Sequence, residues 1–154
     1  MQVVIYTDGA AKGNPGRGGF GTYLRYGKYE KTISQGYRLT TNNRMELLAV
    51  IVGLQALKKP GLEVLVVSDS KYVVDSVTKK WVYGWAKKGF KDKKNPDLWK
   101  AYLEVEKLHK VRFQWIKGHN GHPENELCDQ LAVEAAESNN LLVDKEYERL
   151  NPKK

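Results

Sequence analysis

An apolar run near the start of the chain, ending on an acid, is the feature that most constrains the fold. Residues 3–6 are Val, Val, Ile and Tyr, and they are followed by Thr, Asp8 and Gly. β-Branched and aromatic residues in such a run are typical of a buried strand that ends in a turn. The pattern recurs at residues 64–70, where an apolar run ends on Ser, Asp69 and a Ser able to cap a helix. The sequence therefore predicts two buried strands that each end on an acid.

Asp8 and Asp69 are expected to lie in one crevice if the two strands are parallel neighbours. The carboxyl ends of parallel strands meet at the same edge of an open α/β sheet, which is where such sheets bind ligands. Carboxylates about 4 Å apart repel by ~4 kcal/mol per pair at an effective dielectric of about 20, so a cluster of them requires cations or protons. Oxygen ligands without a set of cysteines or histidines favour Mg²⁺ or Mn²⁺ over zinc.

The chain length of 154 residues is enough for one domain with a core that needs no disulfide or structural metal. The single cysteine, Cys128, has no partner for an internal disulfide, and we interpret it as a small buried side chain. The sequence shows no signal-peptide pattern, and no apolar run approaches the ~18 residues of a membrane span. We expect a cytoplasmic protein with no membrane partner, and a monomer is the simplest state.

Most of the formal net charge of +8 lies in one segment of the chain. Residues 79–94 contain seven lysines and one acid, and so carry six of the eight net positive charges. Aromatic side chains are interleaved with these lysines, at Trp81, Tyr83, Trp85, Phe90 and Trp99. Dense positive charge beside flat side chains favours binding to a nucleic-acid backbone. The alternative is a solvated lysine face whose aromatic side chains pack in the core.

The N-terminal third predicts three antiparallel strands in a meander. Residues 9–19 are a glycine-rich connection, residues 20–26 and 29–36 have strand propensity, and the Gly-Lys pair at 27–28 is typical of a hairpin turn. The glycines at positions 16, 18 and 21 match G-x-G-x-x-G. Dinucleotide binding requires that motif to open a helix, whereas here it leads into a strand, so a nucleotide site is disfavoured.

Helical spacing dominates the rest of the chain. Residues 40–43 are four capping residues, and the apolar positions that follow keep helical spacing up to Pro60. Glu46 is expected in the first turn of this helix, where the helix dipole favours an acid without any chemical role. Further helices are predicted at residues 70–78, 81–88 and 97–109 and from Pro123, with a strand at 111–116. The tail after residue 140 is polar and is expected to be loosely held.

Two histidines, His119 and His122, lie in a loop between Gly118 and Pro123. Their spacing is compatible with zinc, but the only cysteine, Cys128, falls inside a helical pattern, which disfavours a zinc site. A proton carrier is a better hypothesis for a histidine beside the predicted crevice. The alternative is an ordinary surface histidine.

Several short motifs, in their order and spacing, resemble those of bacterial type 1 ribonuclease H. They are YTDG at residues 6–9, GNPG at 13–16, TTNNRME at 40–46, SDS at 68–70, WIKGH at 115–119, EN at 124–125 and CD at 128–129. The stretches TTNNRMEL and KGHNGHPEN are the most distinctive. The resemblance extends from about residue 2 to about residue 137.

The resemblance implies an endonuclease that cuts the RNA strand of an RNA/DNA hybrid and leaves 5′-phosphate and 3′-hydroxyl ends. It implies an α/β fold with a five-stranded mixed sheet, in which three antiparallel meander strands precede two parallel strands and helices cover both faces. The domain would occupy residues 1–137, including a basic protrusion at about residues 79–96. Residues 138–154 would form a polar C-terminal tail.

By position, the resemblance assigns four metal-ligating, catalytic carboxylates, which are Asp8, Glu46, Asp69 and Asp129. This role replaces the helix-dipole explanation of Glu46. Two Mg²⁺ ions, which Mn²⁺ could replace, would flank the scissile phosphate. His119 would be a mobile catalytic histidine that helps proton movement or product release.

A substrate-binding surface is also implied by the resemblance. Its residues are Asn14, Asn42 and Asn43 along the minor groove, Thr41 and Asn95 near a DNA phosphate, Trp81 beside a DNA sugar, and Lys71, Lys87 and Lys88 as further contacts. Contacts to 2′-hydroxyl groups would distinguish RNA from DNA. Two positions depart from the family pattern, since Lys71 stands where a groove-reading Gln is expected and Ala11 where related enzymes often have Cys.

Two other functions are compatible with parts of this pattern. A non-catalytic hybrid-binding module of the same fold would account for the basic segment, but it has no need for four converging carboxylates. Another nuclease of the superfold, integrase-like or exonuclease-like, would account for the acids but not for the basic protrusion or the two distinctive stretches.

Overall fold

A mixed β-sheet forms the centre of the molecule, in a computed structural model that describes residues 2–118 and 120–152. The strands are β1 (Gln2–Lys12), β2 (Gly16–Tyr26), β3 (Tyr29–Thr40), β4 (Glu63–Ser68), β5 (Lys110–Trp115) and β6 (Leu141–Leu142). Their order across the sheet is β5-β4-β1-β2-β3-β6.

The first three strands form the predicted antiparallel meander. β1 pairs with β2, and β2 pairs with β3 across a hairpin whose turn includes Gly27 at a φ of 60°. β4 lies parallel to β1, with Tyr6 opposite Val67 at the last pair, and β5 lies parallel to β4. The two strands that were predicted to end on acids are therefore parallel neighbours.

Helices cover both faces of the sheet, as predicted. They are α1 (Asn42–Gln55), α2 (Lys71–Thr78), α3 (Trp81–Lys87), α4 (Pro96–Glu106), α5 (Pro123–Glu137) and α6 (Lys145–Leu150). The Thr22 hydroxyl of β2 donates to the Ala49 carbonyl of α1 at 2.8 Å, while the neighbouring Gly21 faces Cys128 of α5. Successive strand residues point to opposite faces, so α1 and α5 lie on opposite sides of the sheet. None of the helices in the described residues has the length and apolar character needed to span a bilayer.

The main core lies between the sheet and the helices on the α1 side. It combines Val3, Ile5, Leu24, Val64 and Val66 of the sheet with Leu47, Val50, Ile51 and Leu54 of α1, Val73 and Val77 of α2, and Trp99, Tyr102 and Val105 of α4. Each fully buried side chain of this kind contributes roughly 1.5–3 kcal/mol to stability. This packed layer fixes α1 relative to β1 and β4, which carry the predicted acids.

The structure corrects two expectations about the sheet. It has six strands rather than five among the described residues, because Leu141–Leu142 pairs in parallel with β3. The segment 9–19, expected to be a glycine-rich connection, is mostly strand, because β1 continues to Lys12 and pairs with β2 from Gly9–Phe20 to Lys12–Arg17. The pairing partner supplies this order, and the glycines alone do not indicate it.

The C-terminal tail is packed against the domain and is not loosely held as expected. The Gln35 side-chain amide donates to the Asn140 carbonyl at 2.8 Å, and Asp144 is 8% exposed, next to Arg44. Arg38 and Glu148 form an ion pair at 2.9 Å. The polar tail is held by partners that lie some hundred residues earlier in the chain. The composition of the tail does not reveal these partners.

Candidate active site

Three predicted acids converge at the carboxyl edge of β1 and β4. Asp8, Glu46 and Asp69 each offer one carboxylate oxygen, and these oxygens all lie within 4.8 Å of one another. Asp8 lies in β1, Asp69 directly follows β4, and Glu46 projects from α1. The structure thus brings together side chains from three separate segments, as the two strand patterns and the resemblance predicted.

Local backbone features explain the convergence. Asp8 and Asp69 each come two residues after the last pair of β1 and β4, Tyr6–Val67, so they lie side by side where β4 ends and β1 continues paired with β2 alone. The next residue, Gly9, has no side chain, and a Cβ there would overlap the backbone nitrogen of Glu46. Glycine therefore permits α1 to approach β1 closely enough for Glu46 to reach the other two acids.

Glu46 lies deeper in its helix than expected. α1 begins at Asn42, and Thr41 caps it by accepting a hydrogen bond from the Arg44 amide at 3.2 Å. Glu46 is consequently the fifth residue of α1 and lies beyond its first turn. The helix-dipole explanation of this acid is therefore wrong, and its burial at 4% exposure needs another reason.

Burial and mutual repulsion raise the pKa values of Asp8 and Glu46 in the acid cluster. Burial and the negative charges of Asp69 and Asp129 raise the pKa of Asp8 to about 7, although hydrogen bonds involving Glu46 and the Gly9 amide act in the opposite direction. Burial and the charge of Asp8 also raise the pKa of Glu46 well above its usual value. Such shifts mean that the fully ionised cluster is unfavourable without a compensating cation.

The donor set of the cluster matches a hard divalent cation. Asp8, Glu46 and Asp69 offer only carboxylate oxygens, which are the ligands that Mg²⁺ and Mn²⁺ prefer. The Oε1 atom of Glu46 is buried and has no hydrogen-bond partner among the described residues. A buried carboxyl oxygen without a hydrogen-bond partner is rare in native structures, and a metal ion bound to the ionised carboxylate would satisfy it.

Asp129 lies at the rim of the cluster and not within it. It lines a cleft of about 440 Å³ together with Asp8, Glu46 and Asp69, but among the described residues the group within 4.8 Å comprises only the other three. α5 carries it there by packing closely on β2 at Gly21, where a Cβ would overlap the Cys128 carbonyl. The Cys128 thiol is buried and donates to the Tyr6 carbonyl at 3.2 Å, as expected for a structural cysteine.

Some predicted substrate residues share this cleft, and others border a second cavity. Asn42, Asn43 and Lys71 line the cleft that contains the acids. The second cavity, of about 470 Å³, is lined by Asn14, Thr41, Asn43, Arg44, Lys93, Lys94, Asn95 and Tyr147, with none of the four acids. The Asn14 side chain accepts from the Asn42 amide at 3.1 Å, so the two cavities adjoin through these asparagines.

Three predicted substrate contacts in the basic protrusion, Trp81, Lys87 and Lys88, lie outside both cavities, whereas its C-terminal part, with Asn95, lines the second one. Trp81 is 46% exposed at the start of α3, with the Lys79 ammonium 5.3 Å from its ring centre, and Lys87 and Lys88 are exposed. Trp99 is fully buried in the core. The core-packing interpretation is thus confirmed for Trp99, while the nucleic-acid contact of the exposed Trp81 stays a prediction. His119 lies outside the described residues.

Sequence reasoning missed a second buried ionic cluster around Arg44. Arg44 is 2% exposed, and its guanidinium donates to Asp97 and to Asp144, each at 2.7 Å. Thr40 also donates to Asp144 at 2.8 Å. The one available signal was an arginine beside an apolar helical face, because a buried arginine must be paired.

Trp115 and Asn125 were also missed, although both lie within the quoted motifs. The Trp115 indole donates to the Asp69 carbonyl at 3.0 Å. Asn125 is 8% exposed, and neither of its amide atoms has a partner among the residues that the structure describes. It borders a small cavity with Asp8, Asp69 and Asp129.

Comparisons with known proteins agree with this geometry. The model of the family RNase H matches residues 1–137. The chain is 51% identical over 152 residues to a protein named Ribonuclease H from Rippkaea orientalis, covering 96% of this chain and 93% of that protein. The crystal structure of LC9-RNase H1, a type 1 RNase H, is similar with a TM-score of 0.80 and 32% identity, covering 99% of this chain and 81% of that one. LC11-RNase H1, crystallised in complex with RNA/DNA hybrid, is similar with a TM-score of 0.67 and 25% identity, covering 88% and 96%. From the match of the family model together with these similarities, the chain belongs to the ribonuclease H family.

Proposed function

We propose that this protein hydrolyses the RNA strand of RNA/DNA hybrids as a metal-dependent endonuclease. Members of the ribonuclease H family degrade the RNA of such hybrids. The observation that carries the proposal is the meeting of three carboxylates within 4.8 Å, two of them buried. A non-catalytic binding module would gain nothing from this arrangement, because carboxylates that are not neutralised repel phosphate.

The acid cluster would hold two Mg²⁺ ions, which Mn²⁺ could replace. Asp8, Glu46 and Asp69 would be the central ligands, with Asp129 contributing from the rim. When bound, such ions supply a nucleophile generated from water and stabilise the leaving 3′ oxygen of an in-line displacement, giving 5′-phosphate and 3′-hydroxyl ends. The chain contributes position, because β1, β4 and α1 hold the carboxylates before substrate arrives.

Protons would be handled by His119. This assignment follows from the resemblance of the KGHNGHPEN stretch to the family motif, in which His119 comes four residues after the end of β5. An imidazole titrates near neutral pH and so both accepts and releases a proton under the conditions of the reaction. Its role would be proton movement or product release.

The hybrid would lie across the cleft and the second cavity. Asn14, Asn42 and Asn43 would contact the minor groove, where 2′-hydroxyl groups distinguish RNA from DNA. Thr41 and Asn95 would contact a DNA phosphate in the second cavity, and Trp81 would lie beside a DNA sugar. Lys71, Lys87 and Lys88 would add charge along the backbone.

The catalytic domain would comprise residues 1–137, with a basic protrusion at about residues 79–96, and residues 138–154 would form the polar C-terminal tail, whose described part contacts the domain through Asn140, Asp144 and Glu148. We also propose that the protein acts as a monomer in the cytoplasm. Sedimentation with and without hybrid would test the monomer, and fractionation of cells would test the location.

The function is tested by incubating the protein with a labelled RNA/DNA hybrid, with and without Mg²⁺, beside duplex RNA, duplex DNA and single strands. The expected result is Mg²⁺-dependent cleavage of the RNA strand of the hybrid alone, with new 5′-phosphate and 3′-hydroxyl ends. Binding of the hybrid without cleavage under every metal condition would contradict the proposal and favour a binding module.

A further inference from the structure

We infer that Lys71, positioned by Trp115, binds a backbone phosphate of the hybrid at the mouth of the acid-lined cleft. This rests on the proposed function, since it requires a nucleic acid in the cleft. It names the chemical group that Lys71 recognises, and it gives Trp115 a role as the positioning residue for the Lys71 ammonium.

The Lys71 side chain lies on an aromatic platform. Its ammonium is 4.3 Å from the ring centre of Trp115, within the range of a cation–π contact. Trp115 is 40% exposed, so the indole is a surface on which the ammonium rests and not a pocket that encloses it. The side of the ammonium away from the ring therefore stays open to a ligand.

Trp115 is in turn fixed to the strand end that carries a predicted metal ligand. Its Nε1–H group donates to the Asp69 carbonyl at 3.0 Å, and its backbone pairs with Ser68 at the end of β4. Lys71 follows Asp69 by two residues as the first residue of α2. The indole thus holds the Lys71 ammonium in a defined position relative to Asp69.

Lys71 is not neutralised by the acids around it. It lines the same cleft as all four predicted carboxylates, yet it forms an ion pair with none of the acids in residues 2–118 and 120–152. A cation at the first position of a helix also opposes the helix dipole, and so gains nothing from α2 itself. Its charge is available to an anion that comes from outside.

Phosphate is the anion that matches this arrangement. A lysine ammonium is a compact point charge without the planar geometry that favours paired hydrogen bonds to a base edge. Phosphate contacts position a nucleic acid independently of its sequence. They weaken as the salt concentration rises, because the counterions that binding releases from the nucleic acid then gain less entropy. The inference therefore predicts a salt-dependent and sequence-independent contribution of Lys71 to hybrid binding.

The test compares Lys71→Gln with Lys107→Gln, which makes the same change of charge at an exposed lysine that pairs with Glu104. Lys107 lies between α4 and β5. The first residue of β5 pairs with Glu63 at the start of β4, whereas Asp69 follows the end of β4, so Lys107 lies near the opposite end of these strands from Asp69. Hybrid dissociation constants are measured from about 50 to 200 mM salt, and KM and kcat are measured in parallel. Lys71→Gln is expected to reduce the slope of log affinity against log salt by roughly 0.7–0.9, the value for one phosphate contact, and to act mainly through KM. Lys107→Gln is expected to keep the wild-type slope.

Two further variants separate charge from packing. Lys71→Arg keeps a cation on the indole and is expected to retain the wild-type slope. Trp115→Phe removes the hydrogen bond to Asp69 and part of the platform, and is expected to shift the slope in the direction of Lys71→Gln by a smaller amount. Combined with Lys71→Gln, it is expected to have no further effect on the slope.

A wild-type salt slope for Lys71→Gln, in a protein that still cleaves hybrid, would overturn the inference and leave the proposed function intact. A wild-type slope together with altered preference among hybrid sequences would overturn it in favour of a base-edge contact. Absence of cleavage by the wild-type protein would instead contradict the proposed function. Lys71 is exposed, so its variants are expected to fold. The comparison of Lys71→Gln with Lys71→Arg and Lys107→Gln remains valid even if Trp115→Phe does not fold.

Discussion

Two ionic clusters that include nearby residues of α1 differ in whether their buried charges are paired with opposite charges. Arg44 and Glu46 are two residues apart and are 2% and 4% exposed. Around Arg44, the carboxylates of Asp97 and Asp144 each lie 2.7 Å from the guanidinium. Around Glu46, the neighbouring groups are two more carboxylates, and a buried oxygen has no partner among the described residues.

The pKa values of Asp97 and Asp8 shift in opposite directions in the two clusters. Burial alone would raise the pKa of Asp97, but hydrogen bonds and charge from Arg44 lower it below its usual value. Burial, together with the negative charges of Asp69 and Asp129, raises the pKa of Asp8 to about 7. The Arg44 cluster is complete within the chain and serves stability. The Glu46 cluster has an unpaired buried oxygen among the described residues, which supports its proposed role as the metal-binding catalytic site.

The largest expected effect is the loss of activity when the acid cluster loses one ligand. Asp8→Asn is nearly isosteric and is expected to reduce hybrid cleavage by at least about a thousandfold, because metal stabilisation of the transition state is worth several kcal/mol. Hybrid binding is expected to persist. Asp75→Asn on α2, where the acid pairs with Lys79 at 3.7 Å, is the matched control and should keep activity. Mg²⁺-dependent turnover by Asp8→Asn at the wild-type rate would refute the role of Asp8.

The Arg44 cluster is expected to respond through stability. Arg44→Met leaves Asp97 and Asp144 partly buried without a counter-charge, and breaking such a pair costs about 3–5 kcal/mol. The free energy of unfolding is measured by urea denaturation. Adding Asp97→Asn and Asp144→Asn to Arg44→Met is the control, and it is expected to restore much of the loss because no uncompensated charge remains. An unchanged urea midpoint for Arg44→Met would remove the contrast between the clusters.

The metal-free acid cluster is expected to make stability fall as pH rises. Asp8 has a pKa of about 7 when folded and an ordinary value of 3.8, so between about pH 4 and 7 the unfolded chain is ionised at this group while the folded protein is not. Stability from this group is complete below about pH 4 and decreases by up to about 4 kcal/mol as pH reaches 7.

Thermal unfolding in a chelator from pH 4 to 7 measures this dependence. Asp8→Asn is expected to flatten the curve and to stabilise the metal-free protein at pH 7, which is the opposite sign to Arg44→Met. Addition of Mg²⁺ is expected to restore stability to the unmodified protein, because a ligand that binds only the folded state shifts unfolding. Stability that increases from pH 4 to 7 in the chelator, with no change in Asp8→Asn, would contradict the assigned shift.

The smallest expected effect concerns the helix start that both clusters share. Thr41 caps α1 through the Arg44 amide, and Thr41→Ala is expected to cost about 1 kcal/mol of stability. Thr41→Ser keeps the hydroxyl and should retain most of it. Equal urea midpoints for the two variants would show that this cap does not hold α1 in place.

Much of the architecture was predictable because local patterns encode it. The β-branched run before Asp8, the helical spacing after residue 43 and Pro123 at the start of α5 each identify an element without knowledge of its neighbours. The repeated strand-then-acid pattern was enough to predict that Asp8 and Asp69 meet. Glu46 required the family resemblance, since its own surroundings in sequence favoured a simple helix-start role.

The remaining features depend on partners far away along the chain. Asp97 and Asp144 are 53 and 100 residues from Arg44. β6 pairs with a strand that ends a hundred residues earlier. The cation–π contact of Lys71 with Trp115 likewise joins two distant segments of the chain. The sequence by itself determined most of the strands and helices, though not β6 or the extension of β1 to Lys12, and it supplied the acids that the structure brings together. Only the tertiary structure decided which buried charges receive a partner from the chain and which do not, because charge pairing depends on distance in space, and local periodicity carries no information about it.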